Sequence, residues 1–149
     1  MKLQRLVLNL TLMSVLGYFS LYGQSEREKL VGEWKGKDVT GETGMIILRQ
    51  NGFAVMNLGG MEIGDSSAFG QLRWVLDTRT DPLHLDFLIT DFMGGSDTMP
   101  MIVRMLNDTT IRLQTGTDTE PRPVRFSETD STSQIILFRQ PEAPTGKDR

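Results

Sequence analysis

Leu83-His84-Leu85-Asp86-Phe87-Leu88-Ile89-Thr90 decides the fold. Leu83, Leu85, Phe87 and Ile89 occupy every second position, with His84, Asp86, Leu88 and Thr90 between them. Successive side chains of a strand point to opposite faces, so this period of two predicts a strand with one apolar face. Asp81-Pro82 before it and Gly94-Gly95 after it are turn signals that bound it.

Similar short segments extend in both directions. Upstream, Gln71 to Asp77 places Leu72, Trp74 and Leu76 on one face. Before it, Met45 to Gln50 and Phe53 to Leu58 flank Asn51-Gly52, a strong hairpin signal. Gly32 to Asp38 opens the series, and Gly59 to Gly70 reads as a loop of small residues. Downstream, Asp91 to Ser96 reads as a loop. Met101 to Leu106 and Thr110 to Thr115 then flank an Asn107-Asp108-Thr109 turn. Pro121 to Phe126 reads as a short edge strand because of Pro121 and Pro123, and Gln134 to Arg139 closes the fold. Helix signal is confined to Glu26 to Val31, where Ser25 and Glu28 have the spacing of a capping box.

No connection is long enough for the crossovers that a parallel sheet needs, so the sheet is expected to be antiparallel. Ile46/Ile47, Met101/Ile102 and Ile136/Leu137 put apolar residues on both faces of several strands. That favours closure over an open sheet. The expected fold is all-β, an up-and-down antiparallel barrel of about eight strands with a short N-terminal helix.

Residues 1–23 read as a cleaved secretory signal peptide. Lys2 and Arg5 precede the mostly apolar run Leu6 to Leu16, and small residues Gly17, Ser20 and Gly23 follow. The run is shorter than the roughly 20 apolar residues of a membrane span. The expected layout is a signal at 1–23, a barrel domain at 24–140 and a disordered polar tail at 141–149. Localisation is expected to be secreted or periplasmic, with no membrane span in the mature chain.

The chain carries 16 Lys+Arg and 19 Asp+Glu. Removing Lys2 and Arg5 leaves 14 − 19 = −5. A nucleic-acid partner needs a basic stripe against phosphate, so this acidic domain is a poor candidate for one. The chain has no Cys. Disulfides, thiolate zinc sites, thiol nucleophiles and a lipidated N-terminal Cys are therefore excluded. Asn107-Asp108-Thr109 is a glycosylation sequon, silent in the bacterial setting that a cut before Gln24 suggests.

Leu30-Val31-Gly32-Glu33-Trp34 resembles the Gly-x-Trp opening strand of the lipocalin-like (calycin) superfamily. Three further segments resemble the small exported lipocalin-like domains of bacteria. These are Leu76-Asp77 with Pro82-Leu83-His84-Leu85-Asp86, then Arg122-Pro123-Val124-Arg125-Phe126, then Ile135-Ile136-Leu137-Phe138-Arg139. The resemblance covers about residues 30 to 140 and implies a barrel closed at one end, where an Arg of the last strand packs on the Trp. Carried to this chain, that structural motif is Gly32, Trp34 and Arg139. The Thr-Asp-Tyr motif of many lipocalins is absent, so binding of retinoids or bilins does not follow.

Catalytic signals are weak. His84 is the only histidine, and no Gly-x-Ser-x-Gly elbow accompanies it, so it reads as a surface or half-buried strand residue. Met99, Met101 and Met105 share a face if their strand is regular. Thioethers there could hold Cu(I), but filling a core is the commoner use of Met. Asp65, Asp91, Asp97, Asp118 and Glu120 lie in loops without the spacing of a calcium-binding hand. No catalytic residue, metal or cofactor is assigned. The expected function is a non-enzymatic binding module for a small hydrophobic ligand, held in or at the mouth of the barrel by Leu72, Trp74, Leu76, Leu85 and Phe87. The alternative is a solid structural or protein-binding domain, such as an inhibitor or an envelope-assembly partner.

Overall fold

The computed structural model describes residues 26–37, 41–58, 61–64, 70–116, 121–129 and 133–141. The expected signal peptide and almost all of the expected tail lie outside the described residues, as do Asp65, Asp118 and Glu120. Residues 26–30 form a single helical turn, α1, across which Lys29 pairs with Glu26 at 2.8 Å.

Among the described residues from Val31 onward, nine strands form one antiparallel sheet. They are β1 (Gly32–Lys37), β2 (Thr43–Leu48), β3 (Ala54–Leu58), β4 (Met61–Ile63), β5 (Gln71–Asp77), β6 (Leu83–Thr90), β7 (Ser96–Asn107), β8 (Thr110–Thr115) and β9 (Gln134–Arg139). Their order across the sheet is β4-β3-β2-β1-β9-β8-β7-β6-β5. The sheet curls until Phe53, just before β3, bridges Arg73 of β5, and Trp74 N–H donates to Gly52 O at 2.9 Å. Eight strands thus complete a nearly closed up-and-down barrel. The ninth, β4, hangs from β3 beside the seam.

Register sets the interior. Trp34 faces Ile46, Ile46 faces Met56, Trp74 faces Phe87, Leu85 faces Met101, Val103 faces Leu113 and Ile111 faces Leu137. All of these are buried. The period-two pattern that predicts the strands therefore also predicts which side chains fill the barrel.

Three local readings need correction, and a fourth, the Asn51-Gly52 hairpin, gains its turn geometry. Pro121 to Phe126 is not a strand: residues 121–129 form an irregular strap, because two prolines remove two ladder donors. β4 lies inside the segment read as a loop, paired through Met56–Ile63 and Asn57–Glu62. β7 begins at Ser96 rather than Met101. Pro100 is tolerated there because β8 ends at Thr115 opposite Met101, so this half of β7 is an edge. The Asn51-Gly52 hairpin forms, but positive φ falls on Gly52 alone (87°). Gly52 N–H donates to Arg49 O at 3.0 Å and Arg49 N–H to Phe53 O at 2.9 Å, a three-residue loop ending in left-handed glycine.

Candidate functional site

The two ends of the barrel differ. At one end, where β1 starts and β9 finishes, Trp34 and Arg139 are register partners. The guanidinium carbon of Arg139 lies 4.2 Å from the Trp34 ring centre. Its Nη1 donates to Val31 O at 2.7 Å and its Nε to Asp108 O at 3.2 Å. Trp34 is wholly buried beneath this lid, so this end is shut.

The opposite end is looser. Ile63, Ile89 and Met99 point inward by register, against Met56, Leu72 and Phe87, yet remain only half-buried. Among the described residues β4 and β5 are the two edges of the sheet and do not pair. Leu72 and Trp74 lie on β5 along that seam. Of the five residues expected to meet a ligand, Leu72, Trp74, Leu85 and Phe87 are at most 2 % exposed, and Leu76 is half-buried. They form one continuous interior wall, because Trp74 pairs with Phe87 and Leu76 with Leu85. Trp74 Nε1 donates to Arg49 O at 3.0 Å, which satisfies the indole and fastens the seam.

His84 is half-buried on the outer face, opposite Asp77 and Ile102, and its imidazole makes no hydrogen bond to a described residue. Met99, Met101 and Met105 do share the interior face, opposite Phe87, Leu85 and Ile111. Asp91 accepts from Met93 N–H and Gly95 N–H at 2.8 Å each, and Asp97 accepts from Thr98 N–H at 2.8 Å. Among the described residues, no group of three or more His, Asp or Glu side chains is placed to hold a metal ion. No helix among them is long and apolar enough to cross a membrane.

A second concavity, missed by sequence reasoning, lies outside the barrel. The strap of residues 121–129 crosses the outer face of β6, β7 and β8. Arg122 anchors it, with Nη1 donating to Met101 O at 3.0 Å and Nη2 to Asp86. Ser127 N–H donates to Gln114 Oε1 at 2.8 Å. Phe126 is flanked by Arg112 at 4.6 Å and Arg104 at 5.5 Å from its ring centre. Beneath this crossing Ile102, an outward-facing residue, is fully buried. Between the strap and Gln114 a cavity of about 560 Å³ remains. The only trace of it in the sequence was the apolar Ile102 on a face that should have been polar.

Comparison with protein-family models, with curated proteins and with solved structures finds no match to this chain.

Proposed function

We propose that the chain is an exported, non-enzymatic binding module of lipocalin-like type, acting in a secreted or periplasmic setting and taking a small hydrophobic ligand at the open end of the barrel. The observation that carries this reading is the end of the barrel opposite the Trp34–Arg139 lid, where the inward-facing Ile63, Ile89 and Met99 stay half-buried. An apolar chain entering there would meet these three first. It would reach Leu72 and Trp74 only if the wall opened, because those side chains are already sealed. The Trp34–Arg139 lid with Gly32 beside it supports the lipocalin-like assignment. Each CH₂ taken from water contributes about 0.8 kcal/mol, so an acyl chain is the natural first probe.

An environment-sensitive fatty-acid probe should bind the delipidated protein with a Kd of about 1 μM, near −8 kcal/mol. Ile89→Asn or Met99→Gln should weaken it tenfold or so while leaving the unfolding transition in place, since each adds a polar group to the apolar site. Absence of binding across acyl chains, sterols and haem by a folded sample would reject the ligand reading.

A second reading, a protein-binding domain with a solid core, is favoured by one observation. Phe92 and Met93 stand 74 % and 97 % exposed at the tip between β6 and β7. Asp91 holds that tip rigid through two backbone N–H groups. Exposed apolar side chains on a preformed turn suit a partner's pocket.

A further inference from the structure

We infer that the cavity under the strap is a binding site for a small organic monocarboxylate with a compact apolar body, separate from any occupant of the barrel interior. Its volume, about 560 Å³, lies within the roughly 300–1,000 Å³ of small-molecule sites.

The donor set names the ligand's charge. Gln114 is 6 % exposed, and its Oε1 is committed to Ser127 N–H, which fixes the orientation of the amide. Gln114 lines the cavity, and its Nε2 makes no hydrogen bond to a described residue. With Oε1 committed, Nε2 is the donor this side chain still has for a ligand's acceptor atom. Arg125 lines the same cavity and pairs with no carboxylate among the described residues. Arg112 lies behind Phe126 and donates only to neutral oxygens, those of Gln134 and Ser127. Arg104 and Arg122 on this face are instead balanced by Asp81 and Asp86. Arg125 and Arg112 together outweigh Glu128, so the groups around the cavity are net positive on an otherwise acidic chain.

The remaining lining limits the ligand to one negative charge and an apolar remainder. Glu128 stands at the rim and penalises a dianion such as phosphate. Pro123, Val124 and Phe126 offer apolar surface for a ring or a short branched chain. Val124 is 75 % exposed, and covering it would remove unfavourable contact with water.

The test is a titration of ¹⁵N-labelled protein with phenylacetate, its neutral amide phenylacetamide, and inorganic phosphate, read by two-dimensional NMR. Phenylacetate should shift the Gln114 side-chain N–H₂ and the Ser127 backbone N–H saturably. Phenylacetamide should bind about tenfold more weakly, because charge-assisted hydrogen bonds are about twice as strong as neutral ones. Phosphate should be weaker than phenylacetate. Arg125→Gln should weaken phenylacetate by up to about fivefold and Glu128→Gln should strengthen it by a similar factor, the range of exposed ion pairs. Both side chains are exposed, so the rest of the spectrum should stay unchanged and report an intact fold. No saturable shift, equal binding of phenylacetamide, or indifference to Arg125→Gln would overturn the inference. Movement of the Trp74 indole signal alone would also overturn it, while supporting a ligand inside the barrel.

Discussion

Arg139 and Gly32 are a matched pair: a Cβ added at position 32 would lie 2.7 Å from Arg139 Nη1. The glycine is required twice, since its φ of 138° is also one that L side chains rarely adopt. Absence of a side chain lets the guanidinium settle over Trp34 and reach Val31 O. Gly32→Ala should therefore cost about 1–3 kcal/mol in urea unfolding, the range for a residue held in a disfavoured backbone region. An unchanged midpoint would mean that this end tolerates the methyl group.

Trp34 and Arg139 should be energetically coupled. Trp34→Ala empties the shut end and should cost about 3–5 kcal/mol. Arg139→Ala should cost less, because part of its work is a cation–π contact of about 0.5–2 kcal/mol. The double variant should fall short of the sum, because each single change already removes the shared contact. Strict additivity in a double-mutant cycle would show that the stacking contributes nothing.

Such relationships were legible to unequal degrees. β5, β6, β8 and β9 match the ranges read from sequence because turn signals bound each of them, and in β6 the alternation is also clean. The interior wall of Leu72, Trp74, Leu85 and Phe87 follows from the same alternation, since one face of a closed barrel must be the core. The strap was misread because an apolar residue every second position, as in Pro123-Val124-Arg125-Phe126, resembles a strand. Its backbone instead is held by Arg122 and Gln114, across 36 and 13 residues of sequence. Contacts of that kind have no period, so neither the strap nor its cavity could be read from pattern. Half-burial of Ile89 and Met99 was hidden for a related reason. It depends on how near each residue lies to the looser end of the barrel, which the alternation within a strand does not give.

The seam depends on one indole hydrogen bond in addition to packing. Trp74→Phe keeps most of the ring but removes the donor to Arg49 O. That oxygen still accepts from Gly52 N–H, so the expected cost is only about 0.5–1.5 kcal/mol. Trp74→Ala should cost about 3–5 kcal/mol. Hydrogen exchange of the Trp74 backbone amide, which bonds across the seam to Gly52 O, should quicken in both variants. Equal losses in the two would place the whole effect in the hydrogen bond rather than in packing.

Asp77 should remain ionised well into acid. Arg79 donates Nε and Nη2 to its two carboxylate oxygens at 2.9 and 2.8 Å, and its backbone N–H adds a third bond at 3.0 Å. These bonds, and the weaker field of His84, hold the carboxyl well below its ordinary 3.8. A folded value below the unfolded one contributes stability above pH 3.8 that is lost as pH falls through the folded value. The pair is open to solvent, so the contribution is small and screened by salt. In ¹³C NMR the Asp77 Cγ signal should be that of a carboxylate at about pH 3, and Arg79→Ala should move its midpoint up toward the ordinary range. A titration unaltered by Arg79→Ala would refute the assignment.

The strap should come loose when Arg122 is lost. Its guanidinium joins Asp86 of β6 to Met101 O of β7 in a half-buried setting, and Ile102 is sealed beneath the same crossing. Arg122→Ala leaves the Asp86 carboxylate without that partner, which should cost about 1–3 kcal/mol. Limited proteolysis should then cut within residues 121–129 faster than in the parent, since cleavage follows the population of the open form. Arg125→Ala is the matched control: it removes an exposed guanidinium from the same strap and should change stability by less than about 0.5 kcal/mol. If both variants are cut at the parent rate, residues 121–129 are held by the Ser127–Gln114 contact and the packing of Phe126 rather than by Arg122.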